Sequence, residues 1–218
     1  MRQMRRFLSL PLFMAVASWP GSLFALDCAA LTDTGIPFAV TSEIVTRRTG
    51  EASTTRTQQT QVFRKVDEVT IFTVDSPAIY LRTRGASSLF PVDAFYSTEP
   101  ADPRKWTYSI GPTVHLTRGQ PVSYSADMKS ADGRLRMAAR MTLEILESGT
   151  LELSGCRFEV LKYRRTLEGL ADRHPVSNSE ELTFAPALRT TLASILRTGD
   201  IEVATTPTTI SLDFKHME

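Results

Sequence analysis

Few residue types in this chain could do chemistry, and their spacing limits what that chemistry is. The three histidines, His115, His174 and His216, are scattered, and no pair has the His-x-x-x-His spacing that brings two imidazoles to one metal on a helix. Asp172-Arg173-His174 is the one carboxylate and histidine neighbourhood, but it sits in a polar stretch without a nucleophile or an orienting partner. Gly85-Ala86-Ser87-Ser88-Leu89 is not a Gly-x-Ser-x-Gly elbow, and no glycine-rich phosphate loop opens a helix. Glu180, Glu181 and Asp172 are the acids that a small hydrolase or isomerase site would have to assemble. Lys162-Tyr163-Arg164-Arg165 is the densest basic cluster and reads as a solvated strand end, with a contact for lipid headgroups or an acidic partner as the alternative.

The other residues with a chemical story are the cysteines and a run of aromatics. Arg2, Arg5 and Arg6 precede an apolar run from Phe7 to Ala17, and Ser22-Leu23-Phe24-Ala25 ends it on a small residue. That pattern is a secretory signal peptide over residues 1–25, too short to span a bilayer as a stable anchor. Asp27 before Cys28 does not suit a lipobox, and the twin-arginine spacing is wrong, so the general secretory route is expected. Cys28 and Cys156 are the only cysteines, and an even pair in an oxidising compartment is most simply read as one Cys28–Cys156 disulfide, the alternative being two buried thiols that never meet. No Cys-x-x-Cys suggests redox catalysis.

Phe90, Phe95, Tyr96, Trp106 and Tyr108 lie among Pro91, Pro100, Pro103 and Pro112. Prolines at this density argue against a long helix and against central strands. An irregular aromatic loop folded over an apolar surface is therefore expected, either as a lid on the core or as the rim of a ligand or partner site.

The elements that must position these residues are mostly strands. Met137, Ala139, Met141, Leu143 and Ile145 alternate with Arg136, Arg140, Thr142 and Glu144, the period of a half-buried strand. A turn at Glu147-Ser148-Gly149 would set Ile145 opposite Leu151 and Leu143 opposite Leu153. A bulge at Ser154-Gly155 would then bring Cys156 opposite Met141 and Phe158 opposite Ala139. That register places Glu144 against Glu152 and Arg140 against Arg157, which costs a little at each pair. Further strands are expected over 37–48, 53–65, 69–74, 78–84 and 120–129, with a turn at Ala131-Asp132-Gly133. Residues 172–181 read as a polar loop, and 201–214 as two strands broken at Pro207. One helix is expected over Pro186–Arg197, with a stripe of Leu188, Leu192, Ile195 and Leu196 and an end at Gly199.

With the first 25 residues removed, 22 basic residues face 24 acidic ones, so nothing favours nucleic acid. Residues 26–218 are enough for one domain with a substantial core.

The segments GCRFEVLKYRRTLEG at 155–169 and FAPALRTTL at 184–192 resemble the uncharacterised β-rich periplasmic proteins of Gram-negative bacteria. More distantly they look like the open half-barrel of the lipoprotein carriers. The resemblance implies a mainly β fold, a curved antiparallel sheet as half-barrel or small sandwich with one helix packed on it. It transfers no functional residue. The expectation is a non-catalytic periplasmic envelope protein that needs no cofactor and has no transmembrane span after signal removal. Its curved sheet would bind an apolar small molecule, a lipid or an envelope protein partner, with the small hydrolase or isomerase as the alternative.

Overall fold

A computed structural model describes residues 26–33, 35–65, 69–74, 81–96, 99–110 and 116–213, with the backbone alone described at 70–74, 81–82, 95–96 and 99–102. The expected signal peptide, His115 and His216 lie outside the described residues. Twelve strands follow in chain order: β1 (Phe38–Arg48), β2 (Thr54–Lys65), β3 (Val69–Val74), β4 (Leu81–Ser87), β5 (Phe90–Tyr96) and β6 (Glu99–Tyr108), then β7 (Val122–Lys129), β8 (Leu135–Leu153), β9 (Cys156–Ala171), β10 (His174–Ala185), β11 (Thr190–Thr198) and β12 (Ile201–Ser211). Each pairs antiparallel with the next, and β12 returns to pair with β1 from Ala39↔Ser211 to Arg48↔Ile201. The antiparallel sheet expected from the alternation is present. In place of a half-barrel or sandwich, the strand order among the described residues closes on itself.

The central hairpin turns later than the sequence suggested. β8 runs straight through Gly149, and the chain reverses at Ser154-Gly155, both with positive φ (50° and 78°), as a two-residue primed turn requires. Leu153 then pairs with Cys156 and Leu151 with Phe158, and a bulge at Leu146 shifts the register of the upper half. Electrostatics favours this arrangement: Glu144 meets Arg164, Arg140 meets Glu168 and Glu152 meets Arg157, so the like-charge pairs of the other register become unlike ones.

Four further expectations are corrected. The helix over 186–197 is a single 3₁₀ turn, Pro186–Leu188, followed by Arg189 at φ 56° and then β11. Thr190, Thr191, Ile195 and Thr198 are β-branched and favour the strand, while Leu188, Leu192 and Leu196 satisfy a helical stripe and a bulged strand equally well. The polar stretch at 172–181 is mostly β10, entered by a tight turn in which Asp172 and Arg173 both have positive φ. The aromatic stretch is β5 and β6. Its prolines are tolerated because the pairing there is irregular, with Pro91 facing Gly85 at a register shift and β6 meeting β5 at only three positions. Pro207 likewise sits beside a bulge in an unbroken β12.

The two faces of the ring differ in chemistry. Outside, ion pairs bridge neighbouring strands: Arg56 to Glu43 at 2.8 Å, Lys162 to Glu147, and Arg197 to both Glu181 and Glu202. No helix among the described residues is long and apolar enough to cross a membrane.

Inside, the core falls into two clusters. The first fills one end of the ring, where Phe38 stacks on Phe63 with 5.1 Å between centroids, over Leu31, Leu188 and Ile210. The tip of the β8–β9 hairpin turns one face, Leu153, Cys156, Phe158 and Val160, onto this cluster, and Ser154 Oγ accepts from Ile210 N at 3.0 Å. The Cys28–Cys156 disulfide ties the segment before β1 to the same tip. Lys65, only 3% exposed, donates from Nζ to Leu31 O at 2.9 Å and to Ala187 O at 3.4 Å, and so joins the two 3₁₀ turns that cover this end. Burial lowers the Lys65 pKa, helped by Arg189 and opposed by Asp33. The second cluster gathers Phe90, Tyr124, Met141, Leu143, Tyr163 and Phe184 around the middle of the lumen.

Candidate functional site

Alternation along β9 and β10 decides which charges enter the lumen. Tyr163 and Leu167 are core residues, so Arg165 between them points inward, whereas Lys162 and Arg164 point out to Glu147 and Glu144. On β10, Leu182 is core and Glu180 shares its face, whereas Glu181 pairs with Arg197 outside. The register sets Arg165 directly opposite Glu180, and Nη2 donates to Oε2 at 2.6 Å. Nη1 also reaches Leu89 O at 3.4 Å, across the lumen on the β4–β5 turn. Burial alone would lower the Arg165 pKa, but the charge and hydrogen bond of Glu180 outweigh it and hold the guanidinium above its ordinary value. The side chains keep 22% and 18% of their surface, at the wall of the pocket they both line.

That pocket, about 190 Å³, lies among β2, β9, β10, β11 and β12. Gln59 and Gln61 enter from β2, Thr190, Leu192 and Ser194 from β11, and Thr205 from β12, with Phe63 and Leu182 as apolar wall. Thr190 is 0% exposed and its Oγ1 has no hydrogen-bond partner. Such atoms are uncommon in folded proteins and ask for a reason. Tyr124, 4% exposed, carries a second unpartnered hydroxyl within the electrostatic reach of Arg165. Burial raises the pKa of Tyr108, Tyr124 and Tyr163, so all three phenols stay protonated donors.

The β4–β5 turn forms one edge of the pocket. Ser88 Oγ accepts from Thr191 N at 2.7 Å and lies 3.0 Å from Thr191 Oγ1, while Ser88 N donates to Arg189 O. Arg189 in turn donates to Ala86 O through Nε and Nη2. Gly85 at the base of the turn admits this close packing, since a Cβ there would run into Phe90 O.

Of the aromatics singled out in the sequence, the structure brings three together. Phe90 is buried, with its ring edge-on to Tyr108 at 5.6 Å, and Tyr108 stacks on Trp106 at 6.1 Å and donates to Pro91 O at 2.8 Å. They form a wall of the inner cluster. Phe95 and Tyr96 belong to β5, and their side chains lie outside the described residues. The acids do not converge: Glu180 is inside, Glu181 outside, and Asp172 pairs with Arg136 in the β9–β10 turn, next to the exposed His174. Among the described residues no three His, Cys, Asp or Glu side chains are placed to hold a metal. Sequence reasoning missed Arg165 as an interior residue, and it missed Gln59, Gln61 and Thr190. The available signal was the shared parity of Arg165 with Tyr163 and Leu167.

Fold and site together define a small closed antiparallel barrel with a polar pocket set into an apolar lumen. No family model matches the sequence, and no curated protein is significantly similar to it. Among solved structures the chain is similar to the hypothetical lipoprotein YmcC of Escherichia coli K12, with a TM-score of 0.44 and 10% identity over 81% of this chain and 85% of that one. It is also similar to a putative exported protein with a YmcC-like fold from Bacteroides fragilis, with a TM-score of 0.42 and 8% identity over 82% and 96% of the two chains. At those scores neither carries an argument about this site.

Proposed function

We propose that this protein is a non-catalytic binding protein of the bacterial cell envelope that holds a small molecule in its lumen. The observation that carries the reading is the pocket in which the Arg165–Glu180 pair meets the part-exposed Gln59, Gln61, Ser194 and Thr205 side chains, none of which makes a side-chain hydrogen bond among the described residues. Amides and hydroxyls that make no bond within the protein leave donors and acceptors for an occupant of the pocket. The volume is below the ~300–1,000 Å³ usual for drug-sized ligands, so the occupant is small or inserts only one end. The envelope location is supported by the signal-like first 25 residues and by a disulfide, which persists in oxidising compartments. The dispersal of Glu180, Glu181 and Asp172 weighs against a hydrolase or isomerase.

The test is to purify the protein from envelope extract without detergent, denature it, and identify released small molecules by mass spectrometry. A single compound at near one-to-one stoichiometry is the expected result. Repeated recovery of the bare polypeptide would count against the reading.

A further inference from the structure

We infer that the lumen pocket takes a neutral molecule carrying several hydroxyl or amide groups, of the monosaccharide kind, in preference to an anion or a fatty acyl chain. The inference rests on the binding reading above and adds the chemistry of the ligand.

Charge comes first. The Arg165 guanidinium is spent on Glu180 at 2.6 Å and on the Leu89 carbonyl, so the pair presents no net charge. An anion entering the pocket would meet the Glu180 carboxylate, and a cation would meet Arg165. Either would have to break the pair and leave a charge unmatched. A neutral ligand keeps it intact.

Hydrogen bonding comes second. The Gln59 and Gln61 amides and the Ser194 and Thr205 hydroxyls line the pocket and make no side-chain hydrogen bond within the described residues. These groups donate and accept, which suits ligand hydroxyls and amides that do both. An alkyl chain would displace water from all of them and return nothing. Phe63, Leu182 and Leu192 complete the wall, an apolar surface for the C–H face of a small ring.

The experiment is an NMR titration of the full secreted chain with N-acetylglucosamine, glucose, palmitate and inorganic phosphate, each followed through backbone amide shifts. Expected are saturable shifts centred on residues 59–61 and 190–194 for at least one of the two sugars, with at least tenfold weaker effects from palmitate and phosphate. Ser194→Ala should weaken sugar binding about tenfold while leaving the melting temperature of the free protein unchanged, because it removes a pocket hydroxyl that makes no hydrogen bond among the described residues. Gln61→Leu provides a second loss of binding from the opposite wall. If palmitate or phosphate shifts the lumen residues and neither sugar does, the ligand class is wrong although the lumen still binds. If no probe shifts them and no compound is released from the purified protein, the binding reading itself fails.

Discussion

Two cations on the inner face of the barrel, Lys65 and Arg165, are treated differently. Lys65, at the closed end, spends its ammonium on the carbonyls of two 3₁₀ turns, next to the Phe38–Phe63 stack and the hairpin tip that the disulfide anchors. Arg165, in mid-lumen, is matched by one carboxylate and shares its pocket with amides and hydroxyls that have no partner. The first arrangement uses charge to close a structure. The second keeps charge neutral within a cavity that still has bonds to give. Inner-face polarity therefore marks a candidate site here where several unbonded groups gather at one pocket.

The contrast can be broken most forcefully from the scaffold side. Replacing both Cys28 and Cys156 by Ser frees a loop with a sequence separation of 128 residues, and the chain-entropy model assigns that loop about 5 kcal/mol as an upper value. Urea unfolding should show the midpoint falling by most of its range, and an unchanged midpoint would mean that the closed end does not need its staple. In the lumen, Glu180→Leu leaves Arg165 unpaired and should cost about 3 kcal/mol. The double variant Arg165→Met with Glu180→Leu should recover most of that loss, since matched apolar replacements of an ion pair are often neutral. Lys65→Met should cost only about 1–2 kcal/mol, from the stranded carbonyls of Leu31 and Ala187, with no partner substitution able to restore it.

Alkaline titration separates the two regions more finely. Tyr108, Tyr124 and Tyr163 have pKa values raised by burial, so above about pH 10 the unfolded chain loses these protons first. Their contribution is constant below that point, and stability falls as pH climbs through it. Lys65 has the opposite sign: between its lowered pKa and 10.5 the unfolded chain binds more protons, so its contribution rises with pH. Tyr124→Phe should flatten the alkaline fall, and Lys65→Met should steepen the net loss in the window just below pH 10.5. The smallest effect belongs to the outer face, where Arg56→Ala should change stability by less than about 1 kcal/mol in thermal unfolding.

Much of this was legible in the sequence, for physical reasons. The two-residue alternation of β1, β8 and β9 is local, and so was readable. The pairing of Cys28 with Cys156 followed from compartment and count. The hairpin turn was misplaced because Gly149 and Gly155 both suit a turn, yet the like-charge pairs at Glu144 and Arg140 already pointed against the first of them. The stretch after Pro186 satisfied a helical stripe, and only the pairing of β11 between β10 and β12 decides for a strand. Ring closure depends on β1 meeting β12 from opposite ends of the chain, which no local pattern encodes. The pocket was hidden for the same reason. Gln59 and Gln61 sit in a polar, threonine-rich strand that reads as solvent-facing until closure brings it opposite β9 and β11.

The most direct test is native mass spectrometry of three forms purified in parallel from the envelope: the wild type, Lys65→Met, and Arg165→Met with Glu180→Leu. If the mid-lumen pair organises a binding site and Lys65 only closes the scaffold, the first two carry the same dissociable small-molecule adduct and the third is bare. An adduct retained by the Arg165→Met, Glu180→Leu form, or lost from folded Lys65→Met, would contradict the account.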